Sequence, residues 1–185
     1  DSFHNLYFKF LLLYSILKKN NHKCRVLIES IEKDLFKKIK LIKPEVFCFS
    51  LNSSSYHWFE KIAPKLKKQF NIQIIVGASH PTFYPEIIKE PFVDFICRGE
   101  GEEALSELIN NLELKKDVSK IENIWLKKGK KIIKNDMRHL IENLDTLPFA
   151  DRELYKKYRM FRTKKPGIIA SSRGCPRLCT FCFNK

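Results

Sequence analysis

Residues 171–185 read SSRGCPRLCTFCFNK and place three of the chain's six cysteines, Cys175, Cys179 and Cys182, within eight residues. Thiolates are soft ligands that suit zinc and iron–sulfur clusters, so a run this tight is a metal loop. Structural zinc asks for four ligands, usually as two separated pairs, and the chain holds no second pair. Three thiolates on a four-iron cluster leave one iron without a protein ligand, and a substrate or cosubstrate can bind there. Gly174 gives the loop permissive dihedrals and Pro176 fixes φ, which shapes the turn. Cys24, Cys48 and Cys97 sit singly inside apolar runs without a pairing spacing. They are expected to be reduced, buried and structural, as in a reducing cytoplasm.

The elements that position the loop follow from periodicity. NLYFKFLLLYSILKKN spaces its apolar residues by three and four and ends in lysines, which predicts a core-facing helix. HKCRVLIES is β-rich and predicts a short strand, and IEKDLFKKIK an amphipathic helix. EVFCFSLNS reads as a buried strand entering a polar loop, YHWFEKIAPKLKKQF as a helix with Pro64 inside it, and IQIIVGAS as a strand ending at Gly77. FVDFICRGEGEEALSELINNL repeats strand, glycine loop and helix. This alternation predicts an α/β fold, a doubly wound parallel sheet with crossover helices. Ligands of such sheets bind beyond the carboxyl ends of the strands, at SLNSSS, GASHPT and RGEGEE.

The pattern then changes. Residues 121–134 predict a β-hairpin around Lys-Gly-Lys. NLDTLPFADRELYKKY is an acidic connector into a short helix capped by Asp151, and GIIASS is a further strand carrying the cysteine loop. The expected division is an α/β domain over 1–135, a linker over 136–165 and the start of a second domain over 166–185.

The apolar fraction of 44% and the 15 Phe residues argue for a packed core. The formal charge of +14 comes mainly from lysines scattered along the chain, a solvated surface and not the clustered arginines and aromatics of a nucleic-acid reader. The longest apolar run, FKFLLLYSIL, is too short to span a bilayer and contains Lys9, so no membrane span is expected. No export leader is apparent, and a cytoplasmic protein is expected.

The loop SSRGCPRLCTFC resembles the cluster loop of radical S-adenosylmethionine enzymes. LLLYSILKKNNHKCRVLIE, GASHPTFYPE, DFICRGEGEEALSELI and NLDTLPFADREL precede it in the order seen in members with an N-terminal cobalamin-binding domain, a Rossmann-like, flavodoxin-like fold. The resemblance covers almost the whole chain. It implies that Cys175, Cys179 and Cys182 hold a 4Fe-4S cluster whose fourth iron takes S-adenosylmethionine, and that Phe181 lies near the adenine. One electron, supplied by a flavodoxin- or ferredoxin-type donor, then cleaves the sulfonium to a 5'-deoxyadenosyl radical. It further implies a corrinoid over the carboxyl edge of the sheet, with Ser50, Gly77, Ala78, His80, Thr82, Gly99 and Glu100 as candidate contacts. The chemistry implied is methyl transfer to an unactivated carbon of a small molecule or natural product, or a related radical rearrangement.

The chain departs from this pattern at three places. Ala78 replaces the second glycine of a Gly-Gly pair, Asn52 stands where an apolar residue is usual, and the Asp-x-His-x-x-Gly element that supplies a cobalt ligand in many cobalamin proteins is absent. His80, beside Pro81, is read as a turn residue and not a ligand. Glu100 and Glu102 also suit the first turn of the following helix. A central first strand is expected to be missing from the sheet, and the chain to be a fragment of a longer protein, inactive as it stands. Alternatives are a radical methylthiotransferase using Cys24, Cys48 and Cys97 for a second cluster, a first domain that has lost cobalamin, and a basic nucleic-acid-binding module with structural cysteines.

Overall fold

The structure, a computed structural model, describes residues 2–158, 171–177 and 179–182. Five strands form one sheet in the order β1 (Val46–Ser50), β2 (Gln73–Gly77), β3 (Phe95–Cys97), β4 (Ile124–Lys128), β5 (Lys131–Lys134). The first three are parallel, with Ser50 opposite Gly77 and Val76 opposite Ile96, so their carboxyl ends share one edge. The hairpin of β4 and β5 adds to β3 antiparallel, and the lysines of β5 (KIIK) protect the outer edge from further pairing. Gly129 has φ 61°, which the tight Lys-Gly-Lys turn requires.

Side-chain alternation splits the core into two layers. Phe49, Ile74, Val76 and Ile96 point to one face, where α2 (Leu35–Ile42) and α3 (Tyr56–Phe70) supply Ile39, Phe59, Ile62 and Leu66. Ile75, Phe95, Cys97, Ile124 and Leu126 point to the other. There α5 (Glu102–Glu113) contributes Ala104, Leu105 and Leu108, and α1 (Ser2–Lys19) contributes Leu13 and Leu17. The doubly wound expectation is met in this arrangement. Pro64 stands inside α3, which runs on to a left-handed C-cap at Asn71, and the short α4 (Ser79–Phe83) follows β2.

Two expectations are corrected. The run 22–30 forms no strand among the described residues; backbone groups of Val26 and Ile28 bond to side chains of the connector instead. Lys157 Nζ and Tyr158 Oη donate to Val26 O at 2.7 and 3.1 Å, and Ile28 N donates to Tyr158 Oη at 3.2 Å. Cys48 is exposed, not buried: among the described residues β1 stands at the end of the ladder, paired with β2 alone, so less of the fold covers it. The strand expected around 167–172 falls mostly outside the described residues.

The connector is fastened to the domain. Asp151 caps the turn at Arg152–Tyr155 by accepting from Glu153 N at 3.0 Å, pairs with Lys18 at 2.7 Å, and donates its own N–H to Ser15 Oγ at 2.7 Å. Glu32, whose side chain is 4% exposed, meets Lys38, Lys157 and the Tyr158 hydroxyl. Burial alone would raise its carboxyl pKa, but these partners outweigh burial and hold it below the usual range.

Candidate functional site at the carboxyl edge of the sheet

The parallel strands end in polar and small residues, and the chain turns sharply after each. After β1, Asn52 caps the turn Ser53–Ser55: its Oδ1 accepts from Ser55 N at 3.0 Å while Ser55 Oγ accepts from Asn52 N at 3.2 Å. This reciprocal cap accounts for the polar residue at a position where an apolar one was expected. After β2, Ala78 has φ 80° and ψ −158°, a region that glycine alone occupies without strain. His80 N donates to Leu51 O at 2.9 Å and Thr82 Oγ1 donates to Ala78 O at 2.7 Å, so the strained peptide is held from both sides. Thr82 Oγ1 also accepts from Gly99 N at 2.9 Å, joining the loop after β2 to the loop after β3. Gly99 has φ 70°, which suits glycine at this turn.

The structure therefore brings Ser50, Gly77, Ala78, His80, Thr82, Gly99 and Glu100 to one edge. His80 is buried between Tyr56, stacked at 4.8 Å between centroids, and Tyr84 at 5.6 Å. Its Nδ1 shares a hydrogen bond with Ser53 Oγ at 3.1 Å, while Nε2 is buried without a partner. Burial lowers its pKa, which favours the neutral ring at neutral pH. Tyr84, Met137 and Leu140, each more than half exposed, belong to the segments at this edge. A β-carbon at Gly99 would come within 3.7 Å of the Met137 sulfur, and Ile141 N, next to Leu140, donates to Glu100 Oε2 at 2.8 Å.

Glu100 is a junction that the sequence reading missed in this role. Its backbone carbonyl accepts from Asn123 Nδ2 at 2.8 Å, and Asn123 Oδ1 in turn accepts from Arg138 N at 2.8 Å. Its Oε1 accepts from Arg173 Nη1 at 2.6 Å, and Arg173 Nη2 donates to Glu102 Oε1 at 2.6 Å. Arg173 lies two residues before Cys175, so this fork fastens the cysteine loop to the sheet edge. Its only signal in the sequence is its place beside the first cysteine. Glu102 occupies the first turn of α5, as expected, and is 11% exposed beneath the guanidinium.

Cys175 and Cys182 are half-buried and Cys179 exposed, with Cys182 N donating to Cys179 O at 3.1 Å in a tight turn. Among the described residues no three Cys, His, Asp or Glu side chains stand at metal-ligand spacing, in this loop or around Cys24, Cys48 and Cys97. Phe181 is 92% exposed. Burial pushes the Cys97 thiol up to about 12.

The pattern of the B12 binding domain matches residues 9–109 of this chain, which takes in the first three strands, their three loops and most of α5. The chain belongs to the B12-binding domain family. The chain is similar in sequence to an uncharacterized methyltransferase of Pyrococcus horikoshii, 30% identical over 80% of this chain and 33% of that protein. It is also similar to the anaerobic magnesium-protoporphyrin IX monomethyl ester cyclase of Synechocystis, 36% identical over 60% of this chain and 23% of that protein. The chain thus spans a quarter to a third of these relatives. Among solved structures it superposes on the cobalamin-dependent S-adenosylmethionine radical enzyme OxsB with aqua-cobalamin and S-adenosylmethionine bound. That match has a TM-score of 0.75 at 22% identity and covers 95% of this chain and 25% of that one, a likeness of fold. The radical S-adenosylmethionine methyltransferase TsrM from Kitasatospora setae superposes with a TM-score of 0.61 at 14% identity, covering 70% of this chain and 27% of that one. No helix among the described residues is long and apolar enough to cross a membrane.

Proposed function

We propose that this chain is the cobalamin-binding domain, connector and cluster loop of a cobalamin-dependent radical S-adenosylmethionine enzyme, most simply a methyltransferase. The observation that carries the reading is the position of the three-cysteine loop: Arg173 ties it to the carboxyl edge of a B12-binding sheet. Two sites that the chain separates by about a hundred residues thereby become neighbours.

The residues fit both groups. The edge offers small strand ends at Ser50, Gly77 and Ala78, exposed apolar side chains at Tyr84, Met137 and Leu140, and a buried unpaired nitrogen on His80. A β-carbon at Gly77 would meet only Cys97, at 3.8 Å, so the edge there is open for close approach. Three thiols and no competing hard ligand in one loop are the donor set of an iron–sulfur cluster. When bound, cobalamin supplies a transferable methyl group and the cluster an electron for S-adenosylmethionine cleavage.

The protein's part is orientation. Ser50, Gly77, Ala78, Thr82 and Gly99 form the edge against which a corrinoid would lie, and Cys175, Cys179 and Cys182 would hold the cluster with Phe181 toward the adenine. An electron donor of the flavodoxin or ferredoxin type and a small-molecule methyl acceptor complete the reaction.

The test is anaerobic reconstitution of the whole protein with iron, sulfide and hydroxocobalamin. About four irons per chain, with corrinoid absorption retained after desalting, is the expected result. Zinc in place of iron would sink the proposal, and iron without corrinoid would reduce the B12-binding domain to a scaffold.

A further inference from the structure

The Arg173 fork goes beyond tying one loop down. Arg173 reaches two carboxylates on different elements, Glu100 in the loop after β3 and Glu102 in the first turn of α5, at 2.6 Å each. The carboxylate side chains of Glu100 and Glu102 are 20% and 11% exposed and that of Arg173 is 33% exposed, so the two acceptors are largely covered while the guanidinium stays partly open to water. A planar guanidinium split between two fixed acceptors sets direction as well as distance. Glu100 is fixed in turn: its second oxygen holds Ile141 N, and Asn123 holds its backbone carbonyl. Arg138 holds the same connector stretch to α5 through Glu103 and Glu107. Sheet edge, hairpin, connector and cysteine loop therefore meet at one residue, Glu100.

We infer that Arg173, Glu100 and Glu102 form a positioning clamp that sets how the cysteine loop stands over the carboxyl edge of the sheet, and so the separation and orientation of the two cofactor sites. The inference rests on the proposed function for the identity of those cofactors, but not for the clamp itself. Arg173 and its two partners are positioning residues, acting through the loop and the edge they join.

The test uses the whole protein and the variants R173A, R173K, the pair E100Q/E102Q, and R173A combined with that pair. With iron and corrinoid contents matched, pulsed EPR between corrinoid cobalt(II) and the reduced cluster reads the distance between the sites. A clamp predicts a distance distribution at least twofold broader in R173A and in E100Q/E102Q, with no further change when they are combined. R173K is expected to fall between, since an ammonium cannot span both carboxylates. S-adenosylmethionine cleaved per product formed is expected to rise in the same order, a change that mere loss of stability would not produce.

Hydrogen exchange of the peptides covering 171–177 and Ile141 is read in protein stripped of both cofactors, where about tenfold faster exchange is expected in R173A. If R173A does not fold, E100Q/E102Q gives the same readings. An unaltered distance distribution and unaltered exchange in both variants overturn the clamp. Should the wild-type protein retain neither iron nor corrinoid, the functional reading fails, and the exchange experiment alone decides the clamp.

Discussion

Ala78 carries the sharpest quantitative expectation. Its φ of 80° and ψ of −158° lie where a β-carbon clashes with its own backbone, and residues held there cost on the order of 1–3 kcal/mol. The conformation persists because both flanks are pinned: Leu51 N donates to Gly77 O at 2.9 Å, His80 N to Leu51 O at 2.9 Å, and the Thr82 hydroxyl to Ala78 O at 2.7 Å. Ala78→Gly removes the clash but adds roughly 0.4–1 kcal/mol of unfolded-state entropy. The net gain is about 1 kcal/mol, equivalent to a rise in Tm of about 2–4 °C for a chain of this size. Urea denaturation of A78G and of the parent, compared at equal slope, measures it. Ala78→Val, with a branched β-carbon at the same dihedrals, is expected to lose stability by at least as much. An A78G protein no more stable than its parent would refute the strain argument, and with it the reading of this turn as a backbone shaped for close approach.

Two further outcomes follow from the same contacts. Glu32→Gln removes the charge that receives Lys38, Lys157 and Tyr158 and is expected to destabilise the protein by about 2 kcal/mol, with proteolysis first at the connector. Because the folded pKa of Glu32 is depressed, its contribution is full above the ordinary carboxylate range and is lost as pH falls through the lower folded value, which acid titration of the parent against E32Q checks. Cys97, buried and pushed up to about 12, is expected to resist iodoacetamide at pH 8, where about one thiol in ten thousand is ionised with a pKa of 12. Mass spectrometry should find alkylation first at the exposed Cys48 and Cys179, and Cys97 labelling as fast as theirs would refute the burial argument. The stability given by the neutral Cys97 thiol is full below the unfolded thiol value and is lost as pH rises toward 12.

Short-range patterns exposed much of this protein. Apolar spacing located every helix of the two layers, short apolar runs of aromatic and β-branched residues located β1, β2 and β3, and a Lys-Gly-Lys turn located the hairpin. The strand expected at 22–30 has the right composition, but a strand is defined by a neighbour's backbone. Here Lys157 and Tyr158, some 130 residues away, take the hydrogen bonds. Cys48 had an apolar setting in sequence, and its exposure depends on β1 standing at the end of the ladder among the described residues.

The sequence by itself determined the chemistry on offer: three thiols at cluster spacing, small residues at the strand ends, and the order of strands and helices that makes a parallel sheet. Spacing and periodicity are properties of neighbouring residues, so they can be read without coordinates. Only the tertiary structure decided that Glu100 faces Arg173, that Thr82 joins two loops, and that His80 is buried between two tyrosines. Those contacts join residues far apart in the chain, and their energy comes from burial and directional hydrogen bonding that exist only once the sheet has brought its carboxyl ends to one edge.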